Sequence, residues 1–528
     1  MPQISTISIE AQTRTSPRRF AFLVSTTGWA SGIASSLGSA GYSYFFAYEA
    51  LRPLLEEIGP VRLVERPESR LPFLADELRS QGFEPIHLAI NPLQDIHLTP
   101  LVPTLVYPFW EFPRIPDRDF GDDTRQNWRR VLAKADAVLA PCGLTAAALE
   151  AASARNVTVV PVAIEPEKFE LPDWDPNWRW EFRGRLTVWG DNRIEPIRRA
   201  SNSGVDAPEG RFSSIALRLE PWIGTRRLQH LYRLKQAIVP RPGESFAAKQ
   251  FGLLRSAYNG HVKRWLSDDA RQMITRAKRR VARMMRIPER LQVDPVLPET
   301  DLILSGLVYT TIFNVGDPRK NPGEILSAFL LAFSDRPDVT LVIKLVTNPM
   351  RERHELALLR SLYESLGIEH RCRIVVITDY LDDHEMAGLL RATTYYVNHS
   401  FGEGACLPLM HALAGGRPGL APDHTAMADY VDDSVAFVTR STPEPTHWPH
   451  DPDRRVETFR ARPFWADLHG NFLQSAEVVL SDRARYDRMA SAARSRMVDR
   501  AGRTFVRERL ASLLSGLPRF PRRLDWVG

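Results

Sequence analysis

The chain has 528 residues, 44% of them hydrophobic and 25% charged, which is too long for one core and suits two or three globular domains. No apolar run approaches the roughly 18 residues of a membrane helix, and three scattered cysteines (Cys142, Cys372, Cys406) argue against a disulfide framework and suit a reducing cytosol. The net charge of +6 is uneven: Asp173 to Glu299 holds 25 Lys/Arg and 14 Asp/Glu, a balance of +11, which leaves −5 for the rest.

Residues 1–17 are polar. Arg18-Arg19 before Phe20–Val24 superficially matches a twin-arginine export signal, but the apolar stretch breaks at once into Ser25, Thr26, Thr27 and Gly28. A strand entering a Gly/Ser loop explains these residues better. That loop runs through Gly32 and Gly41. Strands and helices then alternate: helix Tyr44–Ile58, strand Val61–Val64, helix Leu71–Gln81, strands Ile86–Ile90 and Thr104–Tyr107, helix Trp128–Ala135, strand Ala137–Leu139, helix Leu144–Ala154 and strand Val157–Val160. A second series starts at strand Val308–Val315. Helix Pro322–Phe333, strand Val339–Lys344, helix Arg351–Leu366, strand Arg373–Ile377, helix Asp383–Arg391 and strand Tyr395–Asn398 follow. Such alternation predicts two parallel sheets with helices on both faces, and ligands in such sheets bind beyond the carboxyl ends of the strands. The tract from Phe464 to Leu514 reads as helical.

The expected divisions are 1–172, a first Rossmann-like domain; 173–300, a basic insertion; 301–463, a second Rossmann-like domain; and 464–528, a helical crossover with a basic tail. Within the insertion, Ala270, Met273, Ile274, Ala277, Val281, Met284 and Met285 form one apolar stripe with seven basic residues around it. This helix reads either as packed on its own domain or as lying on anionic lipid. Nucleic acid is disfavoured, because no aromatic-basic recognition motif accompanies the charge.

Two segments carry chemistry. After strand Tyr395–Asn398 come Glu403-Gly404-Ala405-Cys406-Leu407-Pro408, then a helix holding His411 and ending at Gly415-Gly416. Small residues there let a ligand approach the backbone, and the helix start favours an anion. After Val308–Val315 come Gly316-Asp317-Pro318-Arg319-Lys320-Asn321-Pro322, a turn placing two cations at a helix start. Cations in that position neutralise charge building on a departing phosphate. Lys320 reads there as an exposed side chain with little packing.

The segment 403–418 resembles the donor-binding signature of retaining glycosyltransferases of family 4: Glu403, Gly404, Leu407, Pro408, Ala412, Ala414, Gly416 and Pro418 match. Cys406 stands where the family usually has Gly, and His411 where it has a second Glu. Lys320-Asn321 is similar to the family's pyrophosphate-clasping element, with Asp317 in place of its Arg and Arg319 as a substitute. The resemblance implies the GT-B fold, with two Rossmann-like domains facing a cleft, and sugar transfer from a nucleotide-sugar to a glycan or glycolipid acceptor. It implies catalytic roles for Glu403, Lys320 and Arg319, and donor contacts from Gly316, Gly404, Ala405, Cys406, Leu407 and His411, the last to ribose. Gly32, Gly41, Trp110 and Glu111 fall on the acceptor side, Trp110 to stack on a sugar and Glu111 to bond its hydroxyls; loop packing explains the last two equally. No cofactor or metal is expected, since the pairs Asp117/Asp119, Asp173/Asp175 and Asp451/Asp453 lack a strand context. The expected setting is cytoplasmic, with the inner face of a membrane as a further option. The rival reading is a non-catalytic GT-B scaffold.

Overall fold

Phe20–Thr26 (β1) is buried at every position, as a strand covered on both faces must be. In the computed structural model, which describes residues 18–27, 42–119, 124–190, 299–348, 350–449, 451 and 454–518, it lies inside a parallel sheet. The other strands of that sheet are β2 (Val61–Leu63), β3 (Glu84–Ile90), β4 (Thr104–Val106), β5 (Ala137–Ala140) and β6 (Val157–Val159), in the order β2-β1-β3-β4-β5-β6. Helices α1 (Tyr42–Ile58), α2 (Pro67–Ser80), α3 (Trp128–Leu132) and α4 (Gly143–Ala151) cover it. Gly59 closes α1 where a Cβ would sit 2.0 Å from the Phe20 carbonyl oxygen, so only glycine fits.

A short helix, α5 (Pro166–Phe169), leads on to β7 (Trp180–Trp189), which forms a hairpin with β8 (Glu299–Leu304). The second sheet then builds from β9 (Leu307–Phe313), β10 (Val339–Leu345), β11 (Arg373–Ile377), β12 (Tyr395–Val397), β13 (Gly419–Pro422) and β14 (Ala436–Thr439), in the order β14-β13-β12-β9-β10-β11-β7-β8. From β14 to β11 it is parallel; β7 joins β11 antiparallel, pairing Leu186 with Ile377 and Trp189 with Ile374. Trp180–Trp189, expected inside the insertion, therefore completes the second sheet. Residues 191–298, with the basic stripe at 270–286, lie outside the described residues, as do Gly32 and Gly41.

The helices between these strands are α6 (Pro322–Ala332), α7 (Glu352–Leu366), α8 (Asp383–Ala392) and α9 (Leu407–Ala414). The C-terminal tract forms α10 (Trp465–Ser481), α11 (Arg483–Ala501) and α12 (Arg503–Gly516). It returns to the first half: the Ala501 carbonyl accepts from Ile164 N at 2.9 Å, and the Arg18 guanidinium donates to the Leu517 carbonyl at 2.7 Å. One hydrophobic cluster consequently holds Phe22 and Leu51 of the first half with Leu409, Met497 and Leu510. Two Rossmann-like halves facing each other, joined by a returning helix, are the GT-B architecture. Among the described residues, no helix is long and apolar enough to cross a membrane.

A second bridge was not foreseen. Strands β15 (Ser441–His447) and β16 (Glu457–Pro463) form a two-stranded arm off the second half. Its tip carries Trp448 and Val456 into a cluster with Trp110, Phe112 and Trp128 of the first half.

Candidate donor-binding site

Two loops meet at the carboxyl ends of β9 and β12. After β9, Gly316 N donates to Asn314 Oδ1 at 2.8 Å, and Asp317 caps the following turn by accepting from Arg319 N at 3.1 Å. Asn321 takes a left-handed conformation (φ 51°), which asparagine tolerates, and Pro322 starts α6. The turn carries Lys320 to Glu403, just past β12, and Arg319 to Glu111 of the first half.

After β12, Asn398 organises the chain. Its Oδ1 accepts from Ser400 N at 3.0 Å; its Nδ2 donates to Glu403 Oε1 at 3.1 Å and to Cys406 Sγ at 3.2 Å. Ser400 Oγ lies 2.8 Å from both Asn398 Oδ1 and Glu403 Oε1, sharing one proton between them. Glu403 is 5% exposed, and its backbone is tied to the next loop, its N donating to Thr425 Oγ1 at 3.1 Å and its O accepting from Ala426 N at 3.2 Å. The nearby Ala405 carbonyl accepts from Tyr430 Oη at 2.8 Å, and Leu407 opens α9.

Lys320 Nζ sits 2.7 and 2.8 Å from the two oxygens of Glu403. Burial alone would raise the Glu403 pKa, but the Lys320 ammonium and the Arg319 guanidinium outweigh it and hold the carboxyl below its usual range. Burial works on Lys320 in the opposite sense, and Glu403 again outweighs it, so the ammonium is held above its usual range. The ion pair is charged on both sides at neutral pH. Lys320 is thus not the exposed side chain expected: only 20% of it is accessible, and its removal would strand a buried carboxylate.

Arg319 is less available. Its Nη2 and Nε donate to Asp317 at 2.7 and 3.1 Å, and its Nη1 pairs with Glu111 of the first half. Asp317, where the resembled family has a cation, here grips the substitute cation instead. Glu111 was expected to bond sugar hydroxyls; it is held by Arg319, with burial pushing its pKa up against the Arg319 charge that lowers it. Trp110 was expected to stack on a sugar. It is 3% exposed, with ring centroids of Trp128 at 4.6 Å, Phe112 at 5.2 Å and Trp448 at 5.7 Å, and its Nε1 donates to the Arg114 carbonyl at 3.0 Å. The buried Trp110 ring fits the loop-packing reading, whereas Glu111 reaches Arg319 across the cleft.

The glycines are set by that same loop. A Cβ on Gly402 would lie 3.2 Å from the Glu111 carbonyl oxygen, and one on Gly404 would lie 3.3 Å from Phe109 Cβ. The first half presses on the turn carrying Glu403 closely enough that larger residues would open the contact.

His411 takes no part in Glu403's hydrogen-bond network among the described residues. Its Nε2 is 3.6 Å from Glu165 Oε2, on the segment joining the two halves, and that oxygen is buried with no hydrogen-bond partner. Burial, helped by Lys168, pulls the His411 pKa down to about 3, so the ring is neutral. Burial also raises the pKa of Glu165. Asn398, Ser400 and Glu165 were missed. The spacing Asn398-x-Ser400-x-x-Glu403, three polar residues just beyond a strand, could have revealed the first two; nothing local marks Glu165.

Cys406 adopts φ 63°, ψ 55° at the start of α9. For a residue with a Cβ that conformation costs about 1 kcal/mol. Cys406→Gly relieves that strain but gives up the buried thiol that accepts from Asn398 Nδ2, so the two effects should nearly offset, whereas the β-branched Cys406→Val should destabilise the protein. Urea unfolding of the two variants checks both; a stabilised Cys406→Val would contradict the second.

One member of each acidic pair is engaged within the protein. Asp119 binds Arg130 at 2.8 Å, Asp173 binds Arg494 at 2.7 Å, and Asp451 accepts from Val456 N at 2.7 Å.

No family model matches the chain, and no curated protein does. Solved structures do. HepE of Anabaena in complex with UDP is 13% identical, over 94% of this chain and 100% of that one, with a TM-score of 0.45. A glycosyltransferase from Rickettsia africae is 8% identical over 94% and 99%, with a TM-score of 0.45. Sucrose-phosphate synthase from Thermosynechococcus elongatus is 12% identical over 94% and 99%, with a TM-score of 0.44. At these identities the likeness concerns the fold, and the roles of side chains follow from this chain's own geometry.

Proposed function

We propose that the protein is a retaining glycosyltransferase that moves a sugar from a nucleotide-sugar to a hydroxyl of a glycan or glycolipid acceptor. The observation that carries this is the Lys320–Glu403 pair, a buried cation and anion 2.7 Å apart where the starts of α6 and α9 converge. An incoming diphosphate offers Lys320 a stronger anion, and the freed Glu403 can accept from sugar hydroxyls. In the transfer, the bond from the anomeric carbon to the diphosphate breaks with its electrons going to the phosphate. Lys320 and the helix starts stabilise that charge. The acceptor oxygen bonds to the same face of the sugar, and its proton passes to the departing phosphate oxygen. No second carboxylate is needed, unlike in glycosidases.

The same reading gives Glu165 and His411 to the ribose. The family's carboxylate at position 411 is gone, and Glu165 sets an unpaired carboxylate oxygen beside the neutral ring, so together they offer acceptors to two hydroxyls. His411→Ala is then expected to weaken nucleotide binding by about 1 to 2 kcal/mol. His411→Glu should also weaken it, because two carboxylates would face each other, and adding Glu165→Gln should restore it. Calorimetric titration decides; unchanged affinity in all three variants would make His411 a packing residue.

A non-catalytic role is favoured by one observation: Arg319 is bound on both sides by Asp317 and Glu111, leaving Lys320 as the cation nearest Glu403. Turnover of a nucleotide-sugar in the wild-type protein, lost in Lys320→Ala, separates the readings.

A further inference from the structure

The loop that carries Glu111 and Trp110 continues past the cleft into a cavity of about 260 Å³, roofed by the tip of the β15–β16 arm. Arg114 and Arg118 enter it from the loop, Arg454 and Arg455 from the arm, with Asp117 and Glu457 beside them. The tip is shaped for this. Asp451 accepts from Val456 N through its side chain and from Arg454 N through its carbonyl, at 2.7 and 3.2 Å, which ties down the backbone around both arginines.

Four guanidiniums against two carboxylates leave these side chains at +2. Arg114 and Arg118 approach Asp117 only at 4.0 Å, the outer limit of an ion pair. Among the described residues, the guanidiniums of Arg114, Arg118 and Arg454 make no hydrogen bond, whereas Arg455 donates to the Asp119 carbonyl at 3.3 Å, so three planar donor forks are unspent. Trp448 and Val456, buried behind the tip, hold the arrangement without using the arginines. A set of unspent guanidiniums in a concave site calls for an anion with several acceptor oxygens, and a phosphomonoester, at about −1.5 to −2, matches the charge of the described lining side chains.

We propose that this cavity binds a phosphate group carried by the acceptor, and so selects phosphorylated glycans or glycolipids. The proposal rests on the glycosyl-transfer reading for calling its ligand an acceptor; the phosphate site itself does not depend on it.

Inorganic phosphate is titrated calorimetrically into the full chain, as wild type, Arg114→Ala/Arg118→Ala, Arg114→Lys/Arg118→Lys and Lys320→Ala. The double alanine variant should bind phosphate at least tenfold more weakly, the double lysine variant within about threefold of wild type, and Lys320→Ala within about twofold. Both arginine side chains are more than half exposed (56% and 66%), and matching unfolding midpoints would confirm that the fold is kept. Nucleoside diphosphate binding should respond the other way, falling in Lys320→Ala and holding in the double variants, so the two readings fail separately. Vesicles of phosphatidylcholine with phosphatidic acid, against a soluble sugar phosphate, identify the source: loss of vesicle binding in the double alanine variant marks a lipid phosphate, and loss of sugar-phosphate binding alone marks a soluble one. Phosphate affinity unchanged in the double alanine variant, lost only in Lys320→Ala, or undetectable in the wild type overturns the proposal.

Discussion

Lys320→Ala is expected to lower turnover by about 10² to 10³, the scale of losing one preorganised donor to a leaving-group oxygen, or roughly 3 kcal/mol. Stability should fall as well, since Glu403 remains buried with its partner gone; breaking a buried pair by removing one member costs about 3 to 5 kcal/mol. Protonation softens that loss. In the wild type the Glu403 pKa is lowered, so its contribution to stability is present above the unfolded carboxylate value and disappears as pH falls through the folded one. In the variant, burial dominates and the pKa rises, so stability should improve on mild acidification where the wild type does not. Turnover and urea unfolding, measured together across pH 5 to 8, separate the two effects. Wild-type turnover in a folded Lys320→Ala would remove Lys320 from the mechanism.

Trp448→Ala should destabilise by about 3 to 5 kcal/mol, the usual range for emptying a large aromatic site. Trp448 is 5% exposed, and its ring stands 5.7 Å from Trp110 and 6.2 Å from Trp128. These contacts join residues of opposite halves, so the loss should fall on the coupling between them. A double-mutant cycle with Trp110→Ala should return about 0.5 to 1.5 kcal/mol of interaction. The Glu111–Arg319 pair and the bond from Gly143 N to Asp429 at 2.8 Å still link the halves, so the variant should fold, with an arm more readily cut by protease. A loss below 1 kcal/mol with unchanged proteolysis would mean the arm does not hold the halves together.

What the sequence made legible follows the range of the interactions. Glu403 and Lys320 could be found because each lies just past an apolar strand in a small-residue turn, a local pattern. The β-strand Trp180–Trp189 also carried a local signal, with Trp180, Phe182, Leu186 and Trp189 buried, but the basic charge of its neighbours masked it. The fate of Trp110 had little local signal, because beside Phe112 the rings that bury it come from α3 and from an arm near the far end of the chain. Arg319 is the intermediate case. Its position was legible, but its commitment to Asp317 and Glu111 depends on how the two halves face one another.

The most direct test of the donor site is the unfolding temperature of the wild-type protein across a panel of nucleoside diphosphates and their sugars. Binding to the native state alone adds RT ln(1 + [L]/Kd), about 2.7 kcal/mol at a ligand concentration of 100 Kd. The Lys320–Glu403 site predicts that at least one nucleotide and its sugar raise the midpoint by several degrees, and that the shift vanishes in Lys320→Ala. No shift with any member of the panel at millimolar concentration, or the same shift in Lys320→Ala, would contradict it.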